Sequence, residues 1–215
     1  MIKLKEMTIN DMQTEDRIFE AATEVFEEKG LSGARMQQIA DKAGINKALL
    51  HYYFRTKDHL FDAVFSKVAN KLIMKFNPIM DEKLTLEEKI RFFFTEHITF
   101  LQKNPRLPAF VLNEINHNPE RILKFIIKMD IHAYWKNILD QHKYELHKYN
   151  ITEETLPQIL TTIVSISIFP FAAKGVVETI LNQMGVTFNE FLDKRKDFAA
   201  EFVINAIKKC PEETK

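Results

Sequence analysis

Residues 33–61 read GARMQQIADKAGINKALLHYYFRTKDHLF, and this stretch decides how the rest of the chain is interpreted. It predicts two short helices separated by a tight turn at Gly44, where glycine can adopt the left-handed backbone conformation that such a turn needs. Asn46 can cap the second helix, which leaves the N-terminal turn of that helix facing outward. A helix presented in this way can enter the major groove of DNA with its N-terminus first.

Apolar residues in the same stretch are spaced to hold the two helices together. Ile39 and Ala40 face inward on the first helix, and Ile45 anchors the turn. On the second helix the anchor is either Leu49 or Leu50, followed by Phe54. Tyr53 and Phe54 are expected to pack in the core, between the second of these helices and the next one. Spacing alone also fits ordinary packing in an all-α protein, so DNA binding needs further support.

The charge pattern gives that support. Between residues 30 and 57 there are five cations and one acid, a net charge of +4. Between residues 15 and 28 there are six acids and one arginine, a net charge of −5. The formal net charge of the whole chain is zero, with 30 basic and 30 acidic residues. Because phosphate binding needs a local positive face and not a positive total, the neutral total does not exclude DNA.

Composition excludes several other classes of protein. The 215 residues are 46% hydrophobic and include only five glycines and one cysteine, Cys210, which argues against disorder, collagen and a disulfide scaffold. The first twelve residues lack the apolar run of a secretory signal. The uncharged run from Thr155 to Ala173 contains two prolines and several hydroxyl side chains, so it predicts a buried helix and not a membrane span. We therefore expect a soluble, cytoplasmic protein.

Helix signals fill the chain, and no alternation predicts a strand. Capping boxes are expected at Thr85 with Glu88 and at Thr187 with Glu190, and Pro119 is expected to open a helix. The prediction is an all-α fold of nine helices, over residues 14–29, 35–43, 46–53, 57–75, 86–103, 108–116, 119–147, 153–181 and 188–209. The expected organisation is an N-terminal arm (1–13), a helix-turn-helix DNA-binding domain (14–60) and a helical effector-binding and dimerisation domain (61–215).

The first of these helical groups resembles the DNA-binding head of the tetracycline-repressor (TetR) family, over roughly residues 14–61. The matching residues are Ile39-Ala40, Ala43-Gly44-Ile45-Asn46-Lys47, Leu50, Tyr52-Tyr53-Phe54, Lys57 and Leu60-Phe61. The resemblance implies a DNA-binding surface made of Arg35, Gln37, Asn46, Lys47, Ala48, Leu49, His51, Tyr52 and Lys57. Arg35 and His51 depart from the residues usual in the family, which have Thr or Ser near the first and Tyr at the second. His51 adds a group that titrates near neutral pH.

The body is rich in aromatic residues, most of which must form its core. Some of them, with a few polar groups, could instead line a cavity for a small hydrophobic or aromatic effector, as the family resemblance implies. The candidates for this effector pocket are Phe94, His97, Phe110, Glu114, His117, Tyr134 and Trp135. We expect His97 or His117 to offer the effector a hydrogen bond.

The last two predicted helices are the candidates for a homodimer interface, since the resemblance implies a four-helix interface there. Small residues such as Ser165 and Gly175 permit close helix approach, and Pro170 is expected to kink its helix. The interface candidates are Ile159, Ile163, Ile166, Phe191, Phe198 and Phe202. The alternative is that these helices form the core of a monomeric bundle.

The predicted function is a sequence-specific DNA-binding regulator, a repressor that a small-molecule effector releases from a palindromic operator. No enzyme, cofactor or metal is expected. One alternative is a helical lipid or small-molecule carrier that does not bind DNA. A second alternative is a helix-bundle metalloenzyme. Glu114 and His117 form one Glu-x-x-His motif, which is half of a carboxylate-bridged metal site. That site needs a second Glu-x-x-His, which the sequence lacks.

Overall fold

A computed structural model describes residues 9–128 and 131–209, without the side chains of residues 9–11, 122, 125, 126, 128 and 131–135. The described residues form twelve α-helices joined by short turns, with a 3-10 turn at Asn77–Met80 after the fourth helix. No strand occurs in these two ranges, as the sequence predicts. The helices are α1 Ile9–Gly33, α2 Met36–Lys42, α3 Lys47–Tyr53, α4 Lys57–Phe76, α5 Leu86–Lys103, α6 Leu107–His117, α7 Pro119–Lys128, α8 Ile131–Gln141, α9 Lys143–Lys148, α10 Leu156–Ala172, α11 Lys174–Gln183 and α12 Phe188–Lys208.

The first helix is longer than predicted at both ends. It contains Ile9 to Gln13, which we expected to belong to an arm; residues 1–8 of that arm lie outside the described residues. Thr14, where the prediction began this helix, is a buried residue inside α1. Gly30, the residue after the predicted helix end, has φ 64°, but one further helical turn follows it. This kink leaves the Leu31 N–H free to donate to the Glu114 Oε1 atom at 3.4 Å.

Two predicted long helices are broken in the structure. The prediction of one helix over 119–147 was wrong at His142, where α8 has ended and α9 has not begun, while residues 129–130 between α7 and α8 lie outside the described residues. The prediction of one helix over 153–181 was also wrong, because α10 begins at Leu156 and meets α11 at a bend of 77°. Apolar periodicity continues across each break, so it did not reveal where the direction of the chain changes.

Pro170 lies one turn before the bend between α10 and α11. Proline has no N–H, so it cannot donate to the carbonyl four residues earlier in a helix. That carbonyl, Ile166 O, instead accepts hydrogen bonds from the guanidinium of Arg195 on α12, at 3.1 Å from Nη2 and 3.3 Å from Nε. A long-range contact therefore replaces the hydrogen bond that the proline removes.

Within the described residues, no single helix is long and apolar enough to cross a membrane, while α10 and α11 taken together meet that test only as a bent pair.

The predicted caps are confirmed where the sequence signal was local. Thr85 with Glu88 and Thr187 with Glu190 both form complete capping boxes. Pro119 is the first residue of α7. The Thr152 hydroxyl accepts from Thr155 N at 3.2 Å in the turn that precedes α10. These boxes begin α5 and α12, the two helices that pack along each other in the body.

Helices α1 to α3 form a small head, and α4 connects it to a larger body. The head has a closed core, in which Ile18, Ile39, Leu50 and Leu60 are fully buried. The body docks on the head through α6 and α7, where Arg106 pairs with Glu28 at 2.9 Å and Arg121 pairs with Asp58 at 2.6 Å. This arrangement leaves the outer face of α3 uncovered.

Candidate nucleic-acid interface

The α2–turn–α3 unit has the geometry that its sequence predicts. Ile39 and Ala40 are fully buried, and Gly44 has φ 66° in the turn. Asn46 caps α3, since its side-chain oxygen accepts from Leu49 N at 2.7 Å. Leu50 is the buried anchor of α3, whereas Leu49 is 36% exposed, which decides between the two candidates. The short helix α3 is thus fixed from one side only.

The opposite side of α3 is open to solvent. The predicted contact residues on this side are all exposed: Asn46, Lys47, Ala48, Leu49, His51 and Tyr52. Arg35 and Gln37 on the neighbouring helix are also exposed, and the Gln37 amide donates to Asp41 at 2.7 Å. The structure therefore gathers eight of the nine predicted contact residues on uncovered parts of the α2–α3 unit. The ninth, Lys57, is half-buried at the start of α4.

His51 is tied to its own helix end. Its Nδ1 atom lies 3.2 Å from the Arg55 carbonyl oxygen, so the neutral ring places its proton on Nδ1. The other nitrogen, Nε2, then carries a lone pair and can only accept a hydrogen bond. When the ring is protonated, Nε2 becomes a donor and the ring gains a charge.

Lys57 joins the start of α4 to the end of α1. Its Nζ atom donates to Ala34 O at 2.9 Å and to Ser32 O at 3.3 Å. An ammonium has three N–H donors, so one more remains for an outside acceptor such as phosphate. Lys57 consequently has a structural role that the sequence analysis did not predict, in addition to its predicted one.

The five cations of the basic segment have different surroundings. Lys42 forms an ion pair with Glu24 of α1, so it neutralises part of the acidic charge of that helix. Arg35, Lys47 and Arg55 form no ion pair with any residue that the structure describes. Arg55 was counted in the charge pattern but was not predicted as a contact. Its exposed position just after α3 adds it to the candidate surface.

A cavity of about 400 Å³ lies in the body, between the C-terminal half of α4, the N-terminal half of α5 and helices α8 to α10. Its wall consists of hydrocarbon side chains and one lysine: Leu72, Ile73, Phe76, Ile79, Leu86, Lys89, Ile90, Phe93, Ile138, Leu139, Leu146, Ile151, Leu156, Ile159, Leu160, Ile163, Val164 and Ile207.

Of the predicted pocket residues, the five whose side chains the structure describes do not belong to this wall. Phe94 is fully buried on the core side of α5, while its neighbour Phe93 lines the cavity. Phe110 packs on Phe61, with ring centroids 5.5 Å apart. The side chains of Tyr134 and Trp135 lie outside the described residues. Phe110 therefore holds α4 and α6 together, and the described wall of the cavity is mostly aliphatic.

His97 lies next to the wall and not in it. Its ring is 5.0 Å from the ring of Phe93 and 5.9 Å from that of Phe76, centroid to centroid. Its Nδ1 atom donates to Ser167 Oγ at 2.9 Å, since the serine hydroxyl donates to the Val164 carbonyl oxygen. Burial lowers the pKa of His97 to about 4, so the ring is neutral at pH 7.

Glu114 and His117, the candidate pair for a metal or an effector, form hydrogen bonds with different partners. The buried Glu114 carboxylate accepts from Leu31 N and from Asn118 Nδ2 at 3.0 Å. His117 is exposed, and its Nδ1 atom is 2.8 Å from the carbonyl oxygen of Asn113. Glu114 therefore connects the head to the body.

The predicted interface residues divide into two groups. Ile159 and Ile163 line the cavity, and Ile166 packs against the core. On α12, Phe198 and Phe202 are 63% and 55% exposed, with stacked rings 6.2 Å apart. Other large apolar side chains are exposed nearby in sequence on α10 and α11: Phe169, Val176, Ile180 and Met184.

Comparison with known proteins agrees with this architecture. The family model "Bacterial regulatory proteins, tetR family" matches residues 18–64. The chain is 26% identical to the uncharacterized HTH-type transcriptional regulator YhgD and 25% identical to the fatty acid metabolism regulator protein, both of Bacillus subtilis. These alignments cover 53% and 58% of this chain but 65% and 63% of the relatives, so the matched part spans less than two thirds of either protein.

A solved structure extends the likeness of fold to the body. The TetR-like transcriptional regulator from Rhodococcus superposes with a TM-score of 0.64 at 18% identity, over 91% of this chain and 96% of the other. The two proteins thus share the arrangement of head and body.

Proposed function

The chain belongs to the tetR family of bacterial regulatory proteins, and from that premise we propose that it is a DNA-binding transcriptional repressor which a small apolar molecule releases from its operator. The observation that carries this proposal is the exposed, capped helix α3 on a rigid, closed head. Lys47 at its start, Arg55 just after it and Arg35 before α2 form no ion pair with any described residue. A surface of this kind binds the phosphates beside a major groove while the helix reads the bases.

Helix α4 contacts both the cavity and the head. Leu72, Ile73 and Phe76 at its C-terminal end line the cavity. Lys57 at its N-terminal end bonds the carbonyl oxygens at the end of α1. A ligand that prefers one position of α4 therefore also selects one position of the head, and the shift is limited by the difference in affinity between the two states.

Dimerisation is the second part of the proposal. Two heads on a two-fold axis can meet successive major grooves, about 34–36 Å apart on a palindromic operator. The exposed rings of Phe198 and Phe202 supply apolar area for such an interface. A protein of this kind acts in the cytoplasm, where the DNA is.

DNA binding is tested by anisotropy on a fragment taken from upstream of the gene itself, over a range of salt concentrations. Lys47→Ala and Arg55→Ala should each weaken binding and lower the salt slope by about one. Lys57→Ala should do the same and also lower thermal stability, since it removes the bonds to α1. The matched control is Lys103→Ala, an exposed cation at the end of α5. Equal slopes for all four variants and the wild type would contradict the proposal.

Assembly is tested by light scattering. We expect twice the chain mass of 25.3 kDa for the wild type and the single chain mass for Phe198→Glu combined with Phe202→Glu. Met74→Glu, at a residue 71% exposed on α4, is the control that should remain dimeric. A single chain mass for the wild type at micromolar concentration would overturn the dimer.

The cavity also favours a second function, a carrier of apolar molecules that does not bind DNA. Such a carrier would bind ligand with the same affinity whether or not DNA is present. A repressor must lose ligand affinity when it binds operator by the same factor that ligand lowers its DNA affinity. Ligand titrations with and without the operator fragment therefore separate the two functions.

A further inference from the structure

The body cavity combines a long hydrocarbon wall with a single cation. Seventeen of its eighteen lining residues are leucine, isoleucine, valine or phenylalanine, and the remaining one is Lys89. The wall residues include no hydroxyl, amide or carboxylate side chain. Ligand pockets usually orient their ligands with a few polar groups. Among the described wall residues, Lys89 alone has a polar side chain that can fulfil that role.

Within the part of the chain that the structure describes, the ammonium of Lys89 contacts no anion. The side chain is only 4% exposed, and its ammonium donates to three neutral acceptors: the carbonyl oxygens of Ile79 and Asp81, and Oε1 of Gln141. The carboxylates of Asp81, Glu82 and Glu145 raise its pKa from a distance, but burial outweighs them and lowers the pKa overall. A buried cation that is bonded only to neutral groups is more stable when an anion is placed beside it.

One of the three acceptors can be exchanged. Ile79 O and Asp81 O are backbone atoms at the 3-10 turn after α4, and the turn fixes their positions. Gln141 contributes a side-chain amide at 3.3 Å, the longest of the three bonds. Gln141 Nε2 also donates to Asn137 Oδ1 at 2.7 Å, and this bond does not involve the Oε1 atom that would leave the lysine. A ligand carboxylate can therefore replace Gln141 without breaking the backbone contacts.

We propose that the cavity binds a straight-chain aliphatic acid, whose alkyl chain lies along the Leu and Ile wall and whose carboxylate pairs with Lys89 in the place of Gln141. This assignment rests on the proposed ligand-regulated function and names the chemical class of its ligand. A flexible alkyl chain suits a wall of branched aliphatic side chains, in which the two aromatic rings, Phe76 and Phe93, are already stacked on each other at 5.2 Å. Because Lys89 also holds the turn that follows α4, the acid would act directly on the helix that reaches the head.

Binding is measured by calorimetry on the purified full chain without DNA. The ligands are octanoate, decanoate, dodecanoate and tetradecanoate, each below its micelle-forming concentration, with the matched primary alcohols and alkyltrimethylammonium ions. We expect affinity to rise about fourfold for each added methylene until the cavity is full. At equal length, the acid should bind at least about tenfold more tightly than the alcohol, and the ammonium ion most weakly.

Two variants locate the ligand. Lys89→Met gives a side chain of similar length without the charge, so acid and alcohol of equal chain length should bind it with equal affinity. The control Lys103→Met, on the same helix, should still bind the acid more tightly than the alcohol. Leu160→Trp fills the cavity and should shorten the longest chain that binds. If Lys89→Met does not fold, the affinities of the wild type for acid, alcohol and ammonium ion still test whether the cavity prefers a carboxylate.

Equal binding of acids and alcohols by the wild type, or an affinity independent of chain length, overturns the assignment. Failure of the assignment is distinct from failure of the proposed function. If acids bind as described but leave DNA binding unchanged, the ligand class stands and the regulatory proposal fails. If DNA binding is salt-dependent but no acid binds, the regulator stands and this assignment fails.

Discussion

The head and the wall of the body cavity use the same kinds of apolar side chain for opposite purposes. In the head, Leu50 of α3 is fully buried, as are Ile39 and Ile18. In the body, Leu160 and Ile163 of α10 face a cavity of about 400 Å³. The head uses apolar area to fix the position of one exposed helix, whereas the body keeps a volume open for another molecule.

This difference teaches that apolar composition does not by itself distinguish a core from a binding site. Closed packing gives each side chain contacts on all sides, and interiors of this kind are as dense as organic crystals. A side chain at a cavity wall lacks contacts on one side, so its truncation lowers the free energy of unfolding by less. Head and cavity wall should therefore respond differently to identical changes.

Truncation of a leucine gives the largest expected effect. Leu50→Ala should lower the free energy of unfolding of the head by about 2–5 kcal/mol, because it opens a void in a closed core. Leu160→Ala at the cavity wall should lower it by clearly less, since the space beside it is already empty. Chemical denaturation of both variants and the wild type provides the comparison. Equal losses would mean that the cavity wall is packed as tightly as the head.

Acid sensitivity should be a property of the body. The pKa of His97 is about 4 in the folded protein and near 6.5 when the chain is unfolded, so between these values the unfolded chain binds more protons. Folding stability from this group is thus complete above pH 6.5 and declines as the pH falls towards 4, by about 3 kcal/mol in total. His97→Leu should reduce the dependence of unfolding free energy on pH in that window, and His147→Leu, at an exposed histidine, should not. An unchanged dependence in His97→Leu would disprove the assignment.

Two glycines test whether the turn of the head is specified by its backbone. Gly44→Ala places a side chain at φ 66° with no atom within 4 Å of the new Cβ, so the expected loss of about 1–2 kcal/mol is conformational strain alone. Gly175→Ala in α11 also meets no atom within 4 Å but has no left-handed backbone, and should be neutral or slightly stabilising. Thermal unfolding measures both. A Gly44→Ala protein as stable as the wild type would contradict the requirement for glycine.

The smallest expected effect is the pH dependence of DNA binding through His51. Only the protonated ring offers an N–H at Nε2 to a phosphate, because Nδ1 is turned to the Arg55 carbonyl oxygen. DNA affinity at fixed salt should therefore be a few-fold higher at about pH 6 than at about pH 8. His51→Gln keeps a donor without titration and should flatten this profile. Identical profiles for His51→Gln and the wild type would show that His51 is not the titrating contact.

Prediction from the sequence succeeded where the signal lies within one or two helical turns. Gly44, Asn46 and the capping box at Thr85 each act on neighbouring backbone atoms, so their roles can be read from local order. Prediction failed in the body, where Phe94 and Phe110 were assigned to a pocket. Helical periodicity shows that a face is apolar, but it does not show whether another helix covers it.

The sequence by itself determined the all-α class, the helix-turn-helix and the exposure of its second helix, because capping, turn geometry and apolar spacing are local properties of the chain. Tertiary structure alone decided three further features: the cavity with Lys89 in its wall, the link from Glu114 to Leu31 N, and the support that Arg195 gives to the helix containing Pro170. In the two side-chain links, residues 83 and 29 positions apart in the chain are brought together. Such contacts depend on how helices of similar apolar character are arranged around one another, and no local pattern of residues specifies that arrangement.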